Sequence, residues 1–331
     1  MDPDARLADA GAPVLDHIRA SFPIAARPFD VLGHRIGRTE AEVLSAVRSL
    51  KATGDLGRLA ASFDGARLGY LSTIVGLSIG EDRTLEAAAL IAEHPAVTLA
   101  YEHEDLYNLW FTVLAPSQAR TRAVLDPIAE HLDVHDILEV PAERVFKAAP
   151  DVRGLAASVS PSRGRSAEPI TFSREEKALA RLVQVDLPLA EHPFSALAST
   201  LEECGYDVDE AWVLDTLAGW QDKQVLQGFR ASGRPHLGGA SALAIWDVSE
   251  AGVASAGASL SACEDVTQCY QRPRTLGETA AVCAVVHAAS RAELAECVER
   301  LQGLAGLSAP RVLHTVREIK RAPMTYFAEA Q

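Results

Sequence analysis

Phe22-Pro23-Ile24-Ala25-Ala26-Arg27-Pro28-Phe29 returns later in the chain as Leu187-Pro188-Leu189-Ala190-Glu191-His192-Pro193-Phe194. Further on, Val43, Leu44, Val47 and Leu50 are matched by Val213, Leu214, Leu217 and Trp220. Val97-Thr98 with Tyr101 then finds Val266-Thr267 with Tyr270. The spacing between copies moves from 165 to 170 to 169 residues, and one short insertion around Glu202–Tyr206 accounts for the main step. Recurrence at a long, nearly fixed spacing identifies a repeated structural unit. Two copies of about 150 residues therefore stand in tandem in a chain of 331. Between them Asp151–Pro169 is rich in Ser, Gly, Ala and Arg, the composition of a linker.

Each copy reads alike. Residues 4–20 suggest a helix, Pro28 opens a short second one, and Thr39-x-x-Glu42 is a capping box that starts a third, running to about Thr53. A strand over 56–63 completes a winged helix-turn-helix pattern. Strand (72–79), helix (82–94), strand (97–103), strand (107–115), helix (117–131) and strand (134–147) follow. That order, β-α-β-β-α-β, is ferredoxin-like. The second copy repeats it over about 173–328, with another capping box at Ser290-x-x-Glu293. The fold class is α+β. The boundaries are 1–65 for the first winged helix-turn-helix, 66–150 for the first ferredoxin-like domain, 151–170 for the linker, 171–233 and 234–331 for the second pair.

Composition narrows the function classes. Apolar residues make up 48% and charged ones 23%, enough for an ordinary globular core, while aromatics are only 6%. The net charge of −14 excludes nucleic-acid binding through bulk charge, although a local basic pocket can still hold an anion. Cys204, Cys263, Cys269, Cys283 and Cys297 are odd in number and form no C-x-x-C pair, so neither a disulfide framework nor a zinc ribbon is expected. Cys269 and Cys283, on neighbouring hairpin strands, are the one pair close enough to matter. The opening MDPDARLADAG has no secretory pattern, and no apolar run reaches membrane-span length, so a cytoplasmic location is expected. A working recognition helix must lie against phosphates. The helix around 39–53 balances Glu40 and Glu42 with Arg48 and Lys51. Its counterpart around 207–223 carries Asp207, Asp209, Glu210, Asp215 and Asp222 against Lys223. These helices read as scaffold.

The chemistry concentrates in Tyr101-Glu102-His103-Glu104-Asp105-Leu106-Tyr107-Asn108-Leu109-Trp110-Phe111-Thr112. Two strands joined by a tight turn should bring His103, Tyr107, Asn108 and Trp110 to one end of a sheet. The plainer alternative is that Tyr107, Leu109 and Phe111 alternate into the core while His103 caps the turn.

A helix-turn-helix followed by a ferredoxin-like domain resembles the Lrp/AsnC regulators. The chain more specifically resembles the sirohaem decarboxylases, built on the same plan. The likeness rests on Phe63-Asp64 with Leu68-Gly69-Tyr70-x-Ser72-Thr73, on Glu102-His103-x-x-x-Tyr107-Asn108-Leu109-Trp110-Phe111-Thr112, and on Pro141-Ala142-Glu143-Arg144-Val145-Phe146-Lys147. In the second copy Ile245-Trp246-Asp247-Val248, Cys269-Tyr270-x-Arg272-Pro273 and Met324-x-Tyr326-Phe327 fit the partner subunit's pattern. The tandem then looks like a fusion of two subunits that the family pairs, an intramolecular pseudo-dimer with its two sheets packed together.

The resemblance implies a carboxy-lyase that removes carboxyl groups from the acetate arms at carbons 12 and 18 of sirohaem, in the route to d-type or alternative haem. No cofactor is implied, because the iron belongs to the sirohaem substrate, and neither nucleic acid nor membrane is a partner. The macrocycle delocalises the carbanion left by CO2, so the protein supplies binding, orientation and a proton. His103 suits the donor role, with Tyr107 or Asn108 fixing its tautomer and Trp110 as an apolar wall. The same ring is also a candidate axial ligand to the substrate iron. Candidates for holding carboxylates are Arg144 and Lys147, then Arg230, Arg234, His236, Arg272 and Arg274, with Arg317, Lys320 and Arg321 on the last strand. The second copy departs from the family where Ala280-Ala281 replaces a Tyr-Asn pair, and at Arg234-Pro235-His236. Two other functions stay open at this point: a regulator or tetrapyrrole sensor, and an incomplete subunit that needs a related partner.

Overall fold

The computed structural model describes residues 3–141, 144–147, 170–231, 239–272, 280–322 and 325–327. In chain order the first copy gives α1 (Pro3–Ala20), α2 (Pro28–Ile36), α3 (Glu40–Thr53), β1 (Leu59–Phe63), β2 (Leu71–Leu77), α4 (Thr84–Glu93), β3 (Val97–His103), β4 (Leu109–Ala115), α5 (Gln118–Leu132), β5 (Ile137–Pro141) and β6 (Arg144–Lys147). The second gives α6 (Arg174–Val183), α7 (Pro193–Glu203), α8 (Glu210–Asp222), β7 (Leu226–Ala231), β8 (Ala240–Val248), α9 (Val253–Ser261), β9 (Val266–Arg272), β10 (Ala280–Ala288), α10 (Arg291–Ala305) and β11 (Arg311–Arg321). Spatially the chain divides across its tandem halves. The helix-turn-helix parts of both copies and residues 325–327 make one compact unit, and the described ferredoxin-like parts of both make the other.

In the helical unit Pro28 and Pro193 start α2 and α7, where a missing N–H costs nothing. Thr39 and Glu42 close a reciprocal capping box on α3, and Ser173 with Glu176 closes another on α6. The wing expected in each copy is a single strand, and the two strands complete each other: β1 pairs antiparallel with β7. Phe22, Phe29, Phe194 and Phe229 pack edge to face across this junction. Tyr326 closes the unit, its backbone exchanging two hydrogen bonds with the Gln184 side chain. The cations of α3 also turn to the second copy: Lys51 Nζ lies 2.6 Å from the Asp186 carboxylate, and Arg48 donates to Leu189 O at 3.4 Å.

In the other unit one nine-stranded sheet runs β5-β2-β4-β3-β11-β8-β10-β9-β6, and each copy contributes a four-stranded ferredoxin-like half to it, β5-β2-β4-β3 and β11-β8-β10-β9. The final strands then cross over. The long β11 pairs with β8 through Arg311–His314 and with β3 of the first copy through Thr315–Arg321. The single strand expected over 134–147 is likewise two strands: β5 pairs with β2, and β6 with β9 of the second copy. Each copy covers the open edge of the other, and an uncovered edge is a liability.

Two apolar cores lie between sheet and helices, one under α4 and α5, the other under α9 and α10. A third, smaller cluster, Ile74, Trp110, Leu243, Tyr270, Cys283 and Leu313, joins the inner faces of the sheet's two halves. Cys269 packs in the helix-side core and Cys283 in the inter-sheet cluster, so they occupy opposite faces and both thiols are free.

The crossing strands fix the role of two lysines read from sequence as carboxylate holders. Lys147 donates to Cys263 O, 2.5 Å away just past α9, and Lys320 donates to His94 O, 2.7 Å away just past α4. His94 and Cys263 are equivalent positions of the two copies. Each lysine therefore neutralises the negative end of a helix in the opposite copy. Lys320→Met should lower unfolding stability by about 1 kcal/mol, a part-exposed charged hydrogen bond being lost. Chemical denaturation measures this, and the affinity for an anionic ligand should not change.

Candidate active site

Strand alternation sends every second side chain to the face between the sheets. On β3 these are Tyr101 and His103, on β4 Trp110 and Thr112, on β9 Gln268, Tyr270 and Arg272. A surface between packed sheets is normally apolar, and this one is conspicuously polar at one end. With Leu243, Val285 and Thr315 these residues line a cavity of about 50 Å³.

Arg272 is 6% exposed. Its guanidinium carbon sits 4.6 Å from the centre of the Trp110 ring and 5.3 Å from that of Tyr270, and Nη2 donates to the Tyr270 hydroxyl at 3.1 Å. Nε has no hydrogen-bond partner, and among the described residues no carboxylate pairs with this side chain. Trp110 is held in turn by its indole N–H, which donates to Tyr107 O at 2.6 Å. It lies against Gly76, where an added Cβ would come 3.2 Å from three ring atoms. The wall expected for a flat macrocycle is thus already covered by Gly76 and Arg272, and Trp110 acts as the seat of the guanidinium.

His103 ends β3 and is 6% exposed, with Nδ1 buried and unpartnered. Burial pushes its pKa down to about 4, against an opposing contribution from the backbone of His314 and Leu313; the charge of Arg272 depresses it further and that of Asp105 opposes. At neutral pH the imidazole is therefore uncharged. The turn that carries it is tied to the second copy by Asp105–Arg311 and Glu104–Arg291 ion pairs and by Glu104 N donating to His314 O at 3.0 Å.

The hairpin partners expected for His103 have other bonds. Strand β4 starts at Leu109, which leaves Tyr107 and Asn108 in the turn. Asn108 accepts from Ile79 N at 2.9 Å and donates to Ile79 O at 2.8 Å, locking the turn to the chain after β2. Tyr107 donates to Asp136 at 3.0 Å. Neither reaches the imidazole. Arg317 pairs with Glu102 at 2.9 Å, and Arg321 binds Glu318 and donates to the Tyr101 hydroxyl at 3.0 Å. Burial drives that phenol up to about 12. Arg144 pairs through β6 with Gln271 on β9, but its side chain lies outside the described part, as do Arg234, His236 and Arg274. Arg230, on β7, belongs to the helical unit. Of the candidates, the structure brings together His103, Trp110 and Arg272. It adds Tyr101, Tyr270, Gln268 and His287, the last bonded through Nε2 to Thr267 Oγ1 at 3.0 Å. The alternation at 268, 270 and 272 was the signal for two of these.

Two ferredoxin-like halves that share a mostly apolar cavity with His103 and Arg272 in its lining, with paired helix-turn-helix motifs, define a ligand-binding protein of the AsnC type. Residues 67–147 and 236–320 match the AsnC-like ligand binding domain, and 13–55 the siroheme decarboxylase NirDL-like HTH domain. The siroheme decarboxylase alpha subunit of Desulfovibrio desulfuricans is 41% identical over 140 residues, 42% of this chain and 80% of that one. A siroheme decarboxylase of Hydrogenobacter thermophilus is 26% identical over 325 residues, 96% of this chain and 94% of its own. The crystal structure of the siroheme decarboxylase NirDL superposes with a TM-score of 0.79 at 26% identity, covering 96% of this chain and 94% of that one. A second structure of it, in co-complex with an iron-uroporphyrin III analogue, gives 0.78 at 25% over the same shares. The chain belongs to the sirohaem decarboxylase family.

The depressed pKa of His103 has a consequence for stability. The unfolded ring takes a proton below about pH 6.5, the buried ring only below about 4. The stability tied to this difference is complete above pH 6.5 and is lost as pH falls to about 4, at up to about 1.4 kcal/mol per pH unit. Denaturation across that window should show a shallower acid loss for His103→Leu than for the parent chain.

Proposed function

We propose that this protein is a carbon–carbon lyase that decarboxylates acetate arms of sirohaem. The observation that carries the reading is the buried Arg272, paired with no carboxylate among the described residues, beside the neutral His103 in one cavity of the family's fold. A guanidinium buried without a counter-ion favours an anion strongly, and its planar fork suits a carboxylate. An arm's carboxylate arriving there also raises the proton affinity of His103, since opposite charge favours the protonated ring. The bound carboxylate thus lets the imidazole take from solution the proton that burial otherwise disfavours.

The reaction then balances simply. The bond between the methylene and the carboxylate breaks, and CO2 leaves. The electron pair passes to the methylene carbon and the conjugated macrocycle, and the His103 proton is added to give a methyl. Each turnover takes up one proton from solution. No cofactor is needed beyond the sirohaem itself, whose iron is substrate. The cavity has room for about three or four water-sized groups, which suits an arm. Tyr101 and Tyr270 line the same space and orient the arm.

Nucleic acid is not a partner on this reading, because the cations of α3 that would meet phosphates are engaged by Asp186 and Leu189. No described helix is long and apolar enough to cross a membrane. A cytoplasmic enzyme working as an intramolecular pseudo-dimer, alone or with further related copies, fits these features.

Anaerobic incubation with sirohaem and mass spectrometry of the tetrapyrrole should detect CO2 loss. Arg272→Gln should raise KM at least tenfold, because the anchoring charge is gone. An unaltered KM in Arg272→Gln contradicts the anchoring role, and unchanged sirohaem with the parent chain contradicts the enzyme.

A further inference from the structure

Four polar side chains form one cross-strand row in the cavity wall. His103 on β3 lies opposite Thr315 on β11, and Ser241 on β8 lies opposite His287 on β10. The β11–β8 ladder pairs His314 with Ala242, so one step further in the same register Thr315 comes beside Ser241. All four residues line the cavity. The neighbouring row on the same face, Leu313, Leu243 and Val285, is apolar. Directly opposed side chains on antiparallel strands have Cβ atoms about 4.5–5.5 Å apart. Two hydroxyls, or a hydroxyl and an imidazole, span such a gap directly or through one water.

The ends of the row differ. His103 is buried, with an unpartnered Nδ1, and its ring leans on β11, where the backbone of Leu313 and His314 favours the protonated form. Thr315, Ser241 and His287 are half-buried, and the row ends beside the exposed Gly239. His287 Nε2 is bonded to Thr267 Oγ1 at 3.0 Å, which orients that ring. Among the described residues no hydrogen bond engages the hydroxyl of Ser241 or of Thr315. The equivalent row of the first copy is broken, since Ser72, the counterpart of Ser241, lies opposite Leu114. There the counterpart of His103 is Arg272, a group that needs no proton.

Timing makes such a row useful. The arriving carboxylate is what raises the proton affinity of His103, so the proton is taken up after the arm has entered. At that stage the arm and the macrocycle behind it stand between the ring and bulk water at the mouth. A route through the wall stays open.

Resting on the function proposed above, we infer that His287, Ser241 and Thr315 form a relay that carries a proton from solvent to His103. The Thr315 hydroxyl gives its proton to the imidazole and takes one from Ser241. Ser241 takes one from His287, and His287 takes one from water. When His103 protonates the methylene the ring is neutral again, and one proton has come from solution for each CO2 released. These three are positioning residues that act through His103.

The test is anaerobic steady-state turnover of sirohaem by the full chain, in H2O and in D2O, with sirohaem binding followed by its absorbance. Thr315→Val and Ser241→Ala should each lower kcat by at least about tenfold with KM within about twofold of the parent, proton delivery alone being lost. Their solvent isotope effects should rise, because proton delivery has become the slow step. Thr315→Ser keeps the hydroxyl and should return kcat to within about threefold of the parent. Links in series also predict that the double variant is no slower than the slower single one, whereas independent structural defects multiply. Parent kcat in Thr315→Val overturns the inference, as do multiplied losses in the double variant or an unchanged isotope effect. Should Thr315→Val fail to fold, Ser241→Ala carries the same comparison. Sirohaem unchanged by the parent chain fails the enzyme reading itself, a result distinct from all of these.

Discussion

Arg272 holds a full positive charge in an interior where an unpaired ion costs several kcal/mol even after the protein relaxes. Among the described residues its supports are a stack on Trp110 at 4.6 Å, a second ring at 5.3 Å and one bond to a tyrosine hydroxyl. Cation–π contacts supply about 2 kcal/mol when desolvated, which is short of the cost. The remainder is an attraction for an anion, and much of the surrounding architecture maintains it. Gly76 makes room for the indole, and the Tyr107 carbonyl fixes its orientation.

The strand exchange has a further effect. Because β11 bridges β8 and β3 while β6 extends β9, the inner faces of the two sheets are set by chain segments from the opposite copy. The lysines at the ends of these crossings bind helix ends across the same boundary. Neither copy's half of the sheet is complete without the other, so His103 from one and Arg272 from the other keep a fixed geometry. Fusion of the copies in one chain then lets their sequences diverge, as His103 against Arg272 and Trp110 against Cys283 have done.

Much of the fold was legible because it rests on local signals. The duplicated Pro-Phe segments, the Thr39–Glu42 capping box and the β-α-β-β-α-β order all appear where the periodicity puts them. The crossing of the last strands was not legible, since the break between β5 and β6 depends on which edge each half meets and leaves no periodic mark. The site divided in the same way. His103, Trp110 and Arg272 were visible as unusual residues on strands of known alternation. Asn108 and Tyr107 had the right chemistry and the wrong position, because the strand begins at Leu109 and their side chains are taken up by Ile79 and Asp136 from distant parts of the chain. Lys147 and Lys320 misled because a cation that binds a helix carbonyl looks, in sequence, like one awaiting a carboxylate.

The central claim is that Arg272 and His103 together receive a carboxylate arm of the tetrapyrrole. A crystal structure of this chain with iron-uroporphyrin III addresses it most directly. The account predicts a carboxylate within about 3 Å of both the Arg272 guanidinium and the His103 ring, with the indole of Trp110 still beneath the guanidinium. A macrocycle bound with its carboxylates on other cations, and Arg272 facing only Tyr270 and Trp110, would contradict it.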